Sequence, residues 1–222
     1  MTSLSHNNRD NTYGNPDIDL SRSEENIFYL EQGIRETYDE VFGDAVQAYN
    51  DKQKRKDRRI EDYYEKVRAD KKTEPQRELI VAIGSKEDGE QDIEWKKQAL
   101  DRYARGFQAE NPNLKVYNMV MHNDEANPHL HINYVPYYDS NRGLGRRVAN
   151  NKALKAQGVE GKDDRELMKN WRDQETARLE AYARQLNSQF DRDNVGSHKY
   201  MKVPQYKAYA DEIQNLKVTQ EI

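Results

Sequence analysis

The chain has 222 residues, 34% of them charged and 35% apolar, with a formal net charge of −4; that length fits one domain with an appended arm. It contains no cysteine, which excludes disulfides, thiolate metal sites and cysteine nucleophiles and leaves only nitrogen and oxygen ligands for any metal. The polar opening MTSLSHNNRD is not a secretory signal and no apolar run reaches membrane-spanning length, so the expected location is cytoplasmic, with no membrane segment.

Residues 1–23, rich in Asn, Asp, Ser and Gly, predict irregular structure. From about 32 to 70 the apolar residues Ile34, Tyr38, Val41, Ala45 and Tyr49, then Ile60, Tyr63, Tyr64 and Val67, recur at helical steps, with Gly43 as a candidate break. The basic run Lys52–Arg59 falls on this predicted helix. QRELIVAIG at 76–84 predicts a strand, and residues 92–109 predict an amphipathic helix that Asn111-Pro112-Asn113 stops. Strands are expected at 115–122 and 129–138, joined by a short polar turn as an antiparallel hairpin. A basic, glycine-containing stretch from Arg142 to Lys155 follows, with no acidic residue in it. Residues 163–190 predict the clearest helix, with Leu167, Trp171, Leu179, Tyr182 and Leu186 on its buried stripe. Trp95 and Trp171 are expected in the core, His198 on the surface, and another helix is expected to begin near Tyr206.

The segment from His122 to His131 (HNDEANPHLH) concentrates three of the five histidines. Side chains alternate across a strand, so His129, His131 and Asn133 share one face while Leu130, Ile132 and Tyr134 face a core. A hairpin returns His122 beside His129 and His131, giving three imidazoles for one divalent cation with coordination positions left open. Glu125 in the turn is placed to ligate, or to orient an imidazole from outside.

That segment resembles the HxDExxPHxH motif of the plasmid recombination and mobilisation enzymes, the Pre/Mob or MobV relaxases. Ser5-His6-Asn7-Asn8-Arg9 resembles their HNxR motif, and residues 15–23 (NPDIDLSRS) with Asn26 resemble their second motif. The resemblance covers roughly residues 5–200. It implies an α+β fold of the HUH type: an antiparallel sheet carrying the histidines, flanked by helices. It implies a catalytic domain over 1–198, with 199–222 as a helical extension or linker that serves as a homodimer contact. The family's edge strand before the first motif has no counterpart in the five residues ahead of His6, and Ile27 stands where a tyrosine often follows the second motif.

The implied activity is cleavage of one strand at a plasmid transfer origin, with the 5′ phosphate kept on a protein side chain and the strand later rejoined. Single-stranded or hairpin origin DNA is the implied partner, and Mn2+ or Mg2+ the implied cofactor. His122, His129 and His131 are the implied metal ligands, Glu125 a ligand or activating carboxylate, and His6 the nucleophile, with Tyr13 and Tyr29 as competitors. Arg9, Arg22 and Ser23 are implied supports of the phosphate or of the fold around the nucleophile. From charge and position, Arg142, Arg146, Arg147, Lys152 and Lys155 are expected to track the DNA backbone beside the scissile phosphate, and Lys54, Arg55, Arg58 and Arg59 to grip flanking duplex. Three other readings use parts of the same pattern: a rolling-circle replication initiator with a tyrosine nucleophile, a non-catalytic DNA-binding protein with a structural metal, and a small-molecule metallohydrolase.

Overall fold

A computed structural model of the chain describes residues 4–10, 18–84 and 93–192. Its sheet has the strands β1 (Ile27–Glu31), β2 (Arg77–Ala82), β3 (Leu114–His122), β4 (His129–Asp139) and β5 (Arg146–Val148). The first four lie in the order β1-β3-β4-β2, all antiparallel, and β5 pairs with Tyr137–Asp139 at the far end of β4. The helices are α1 (Leu4–Asn7), α2 (Ile34–Asp51), α3 (Tyr63–Ala69), α4 (Ile93–Glu110), α5 (Asn150–Ala156) and α6 (Asp164–Leu186).

β3 and β4 are buried on both faces because each face carries its own core. On one face Val116, Met121, Leu130, Ile132 and Tyr134 pack against α4, α5 and α6 through Leu100, Phe107, Leu154 and Leu167. On the other face Tyr117 and Val135 pack against α2 and α3 through Tyr38, Phe42 and Val67. A register shift between Val116 and Asn118 turns Tyr117 toward the second core. A buried polar group joins the helices of the first core. Glu175 accepts from the Tyr103 hydroxyl at 2.6 Å and from Asn111 at 3.1 Å, while Asn111 accepts from the Trp171 indole at 2.8 Å.

The expected hairpin, the strand at 76–84 and the helices near 92–109 and 163–190 are present. α6 opens on Asp163, whose carboxylate accepts from the Glu166 N–H at 2.8 Å. The helical pattern expected over 32–70, with Gly43 as its candidate break, is interrupted elsewhere. It is split into α2 and α3, and the break comes after Asp51 and not at Gly43, whose helical position meets no obstruction. The basic run that follows therefore lies outside a regular helix, except for a short 3-10 turn at Lys56–Arg58, because like charges along it supply no apolar stripe to dock. Asn50 closes this loop, accepting from the Ile60 N–H and donating to the Ile60 carbonyl at 2.8 Å. β5 and most of α5 lie within the basic, glycine-containing stretch from Arg142 to Lys155. Tyr13, His198 and the expected helix near Tyr206 lie outside the described residues.

Candidate metal centre

The β3–β4 hairpin pairs His122 with His129 at its end, and Val120 with His131 one same-face row inward. The ligand atoms of His122, His129 and His131 all lie within 4.8 Å of one another. The other nitrogen of each ring is committed. His122 Nε2 bonds the Asn7 carbonyl at 2.8 Å, His129 Nδ1 the Asn127 carbonyl at 2.9 Å, and His131 Nδ1 the Glu78 carboxylate at 2.7 Å. Each of these acceptors requires a proton on the nitrogen it faces, so the lone pairs of His122 Nδ1, His129 Nε2 and His131 Nε2 turn toward one point. His122 Nδ1 and His129 Nε2 are 3.3 Å apart, and His131 Nε2 is buried with no protein partner among the described residues. Converging, desolvated lone pairs repel one another unless a cation lies between them, so the donor set fits a divalent metal. Burial lowers the pKa of His122 to about 3 and pushes His129 in the same direction, which keeps both rings neutral and able to ligate at neutral pH.

A second same-face row, one step further from the hairpin turn, is polar. Glu31, Asn118, Asn133 and Glu78 are successive cross-strand neighbours, and α1 docks on them. Asn7 donates to Glu78 at 2.7 Å and to Asn133 at 3.0 Å, and Asn8 donates to Glu31 at 3.3 Å. This docking places the His6 ring with its centroid 6.0 Å from that of His122 and 6.1 Å from that of His131. The pKa of His6 is lowered, first by partial burial and then by the Arg9 charge, which favours the neutral imidazole.

Arg9 holds the end of this segment. Its backbone is left-handed, with φ 60°, a conformation that costs a non-glycine residue about 1–3 kcal/mol and persists only where the surroundings fix it. Its guanidinium contacts Asp124 at 2.5 and 2.9 Å and Glu125 at 2.8 Å. Asp124, fully buried, also accepts from Ser23 at 3.2 Å and Asn26 at 2.8 Å. Burial alone would raise the pKa of Asp124, but Arg9 and Asn26 outweigh it and hold the carboxyl at about 2. The three sequence motifs thus meet at one buried carboxylate.

Glu125 reaches the region as expected: its carboxylate is 3.9 Å from His122 Nδ1 and is held by Arg9. Arg9 and Ser23 support the fold next to His6, with their polar groups turned to Asp124. Arg22 makes an exposed ion pair with Glu25 at 2.9 Å. Tyr29 lies against the other face of the sheet, packed on the α4 core, where its hydroxyl donates to Asp101 at 2.8 Å and burial raises its pKa. Sequence reading missed Glu78, Asn7 and Asp124 as functional residues. For Glu78 the available signal was a carboxylate inside an otherwise apolar strand.

The basic residues after β4 are not beside the histidines. Val148 pairs with Tyr137, six residues along β4 from His131, which at 3.3–3.4 Å per residue is about 20 Å away. The expectation that Arg142, Arg146, Arg147, Lys152 and Lys155 flank the scissile phosphate is corrected by the length and direction of β4. Arg146 is further engaged by Asp139 at 2.7 Å and lies over the Tyr137 ring. No helix of the described residues is long and apolar enough to cross a membrane.

The fold is similar to that of solved relaxase domains. Two crystal structures of the MobM relaxase domain (MOBV; Mob_Pre), each Mn-bound and in complex with oriT DNA of plasmid pMV158, align over 93% of this chain and 90% of theirs. Their identities are 22% and 19%, and their TM-scores 0.53 and 0.51. No curated protein matches the chain. The family model described as plasmid recombination enzyme (Mob_Pre) matches residues 29–208, most of the sequence. The chain belongs to the plasmid recombination enzyme family.

Proposed function

We propose that the chain is a DNA relaxase that nicks one strand at a plasmid transfer origin and keeps the 5′ phosphate covalently on His6. The observation that carries this reading is the convergence of three imidazole lone pairs with the His6 ring beside them, on one sheet face. Family membership and the likeness to Mn-bound, DNA-bound relaxase domains support it. A divalent cation would be held here by His122, His129 and His131 and would supply Lewis-acid charge to a bound phosphate. Mn2+ is favoured over Mg2+, because three nitrogen ligands suit Mg2+ poorly.

His6 attacks as neutral imidazole. A P–N bond forms and the P–O3′ bond breaks; the departing 3′ oxygen takes a proton from solvent and leaves as a 3′ hydroxyl, while the phosphorylated ring gives up its N–H proton to Glu125 or to solvent. The positive charge developing on the His6 ring lies within the field of Glu125 and Glu78, both of which favour the charged form. Rejoining is the reverse attack of a 3′ hydroxyl, which needs no external energy source because the phosphoryl linkage is conserved. Arg9 and Asp124 act as positioning residues. The catalytic domain is proposed to span residues 1–198, and self-association through 199–222, proposed with it, is tested by light scattering of the full chain against a chain ending at 198.

The experiment is covalent capture. A labelled single strand carrying the origin of the encoding plasmid, incubated with the protein and Mn2+, should give a band of retarded mobility on a denaturing gel. His6→Ala and His129→Ala should each abolish it. An adduct of undiminished yield in the His6 variant removes His6 as nucleophile, and no adduct with the wild-type chain removes the nicking activity.

A further inference from the structure

β2 is the last strand of the sheet and has no neighbour on its outer side among the described residues. An open cleft of about 630 Å³ follows that side from Glu74 to Ile80. Val81 is buried and Leu79 half-buried in the core of α4 and α6, while Glu78, Ile80 and Ala82 stand on the face that carries the histidines. Ile80 is the cross-strand neighbour of His131, and Ala82 that of His129, on strands about 4.8 Å apart. Glu78 is committed to His131 and Asn7. Ile80 is 58% exposed. It is one of five exposed large apolar side chains among the described residues, and the one paired directly with an imidazole of the cluster. Free edges are usually protected by charge or proline, because an exposed apolar side chain there invites association. An uncovered isoleucine at this position adds nothing to folding, so its place beside the histidines points to a ligand that covers it.

We infer that Ile80, with Ala82 beside it, is the shelf that seats the nucleoside joined to the scissile phosphate through its 3′ oxygen, the one that departs with the leaving strand. The inference rests on the reading of the site as a strand-cleaving centre. Its direction follows from His6. That ring stands 6.0 Å from His122 on β3 and 6.1 Å from His131 on β4, and β2 lies beyond β4 as seen from β3. Displacement at phosphorus sets the leaving oxygen opposite the attacking atom. The path from His6 across the imidazoles leads to β2, where Ile80 and Ala82 are the exposed side chains on that face. Ile80 offers apolar contact and no donor or acceptor, so it positions a base by its face and does not read its edge. The competing occupant of a free edge is a second copy of the chain.

The test uses the full chain with Mn2+ and two probes: a short labelled oligothymidylate that ends in a 3′ phosphate, and the same strand without its last base. Fluorescence anisotropy gives the affinity lost with the base for the wild type, Ile80→Ala and Leu30→Ala. Leu30 is the control, an exposed residue of β1 paired with Met119 on the opposite face. Removing the base should cost the wild type and the Leu30 variant about tenfold, and the Ile80 variant about twofold or less, since its contact is already gone. Ile80→Leu should restore the difference. Equal losses in the wild type and Ile80→Ala, or no loss in the wild type, overturn the shelf. The same comparison on a strand with a 5′ phosphate and no first base should show no dependence on Ile80; a dependence of equal size overturns the assignment to the leaving side. Mn2+ affinity, measured by calorimetry, should be alike in the wild type and Ile80→Ala. A fall there would make Ile80 a support of His131 and overturn the shelf. A wild-type dimer that Ile80→Ala dissociates, seen by light scattering, would give the edge to a second copy and overturn it too. If the base dependence is found but no adduct forms on the origin strand, the shelf stands and the nicking reading falls. An adduct without base dependence leaves nicking in place and removes the shelf.

Discussion

Glu78 and Asp124 are carboxylates with different tasks in the same site. Glu78 fixes the tautomer of His131 through one hydrogen bond at 2.7 Å. Glu78→Gln keeps the size but offers the ring a neutral acceptor that can also turn its amide toward it. Loss of such an outer partner typically costs ~10–100-fold in metal affinity, so Mn2+ titration by calorimetry should show a weakening of that order. An unchanged affinity would reduce Glu78 to a dock for Asn7. Asp124 is structural, with Arg9 as its main partner. Its carboxyl ionises at about 2 in the folded chain, against an ordinary 3.8, so folding is favoured by on the order of 2 kcal/mol at neutral pH. The folded value is the depressed one. The contribution is therefore complete above about pH 4 and disappears as pH falls toward 2. Asp124→Asn should lower the stability at pH 7 by about 3 kcal/mol, since it breaks a buried pair and leaves the Arg9 charge with Glu125 alone. In urea melts the gap between wild type and variant should close on acidification through that window. A gap of constant size from pH 7 down to 2 would mean that the ion pair is not its source.

At the scale of elements, the hairpin was legible because its signals are local. Alternation fixed which face His129 and His131 share, and the turn Asn123–Pro128 fixed the return of His122. The break in the helical pattern over 32–70 was misplaced because Tyr63, Tyr64 and Val67 continue a helical spacing that says nothing about the chain between. What ends α2 is a basic run without an apolar face, tied off by the contact of Asn50 with Ile60. The site beyond the histidines was illegible for another reason. Glu78 lies on β2, and its approach to His131 depends on strand pairing across more than fifty residues. The docking of α1 on Asn133 and Glu78 depends on the same non-local register. That docking predicts a separation of functions. Asn7→Ala removes the side chain that seats α1 but keeps the main-chain carbonyl that meets His122. Misplacing a reacting group by about 1 Å costs on the order of a hundredfold in rate, so single-turnover nicking should fall by about that factor while Mn2+ affinity falls much less. Parallel losses in rate and affinity would show that α1 is part of the metal centre itself.

For the whole molecule, the three motifs act as one unit because a cation would tie together what the sheet and α1 only bring near. His122 and His129 belong to the hairpin, His131 is oriented from β2, and His122 is bonded in turn to the α1 carbonyl of Asn7. Binding to such a set draws β2, β3, β4 and α1 into one thermodynamic unit, so metal occupancy should be read in global stability. At a free concentration a hundred times its dissociation constant, a ligand specific for the folded state adds about 2.7 kcal/mol. For a domain of this size each kcal/mol moves the midpoint by about 2–4 °C. Calorimetric melting of the chelator-treated chain should therefore rise by roughly 5–10 °C on addition of saturating Mn2+. Mg2+ at the same concentration should give a smaller rise, since nitrogen ligands suit it poorly. His131→Ala should cancel the Mn2+ increment, because two imidazoles leave the cation without its facial set. His6→Ala should retain it, because His6 is a neighbour of the cluster and not one of its converging ligands. If the wild-type midpoint is the same with and without Mn2+, the three imidazoles do not form a metal site. If the His6 variant loses the increment together with the His131 variant, the ring assigned to nucleophilic attack is a fourth ligand instead.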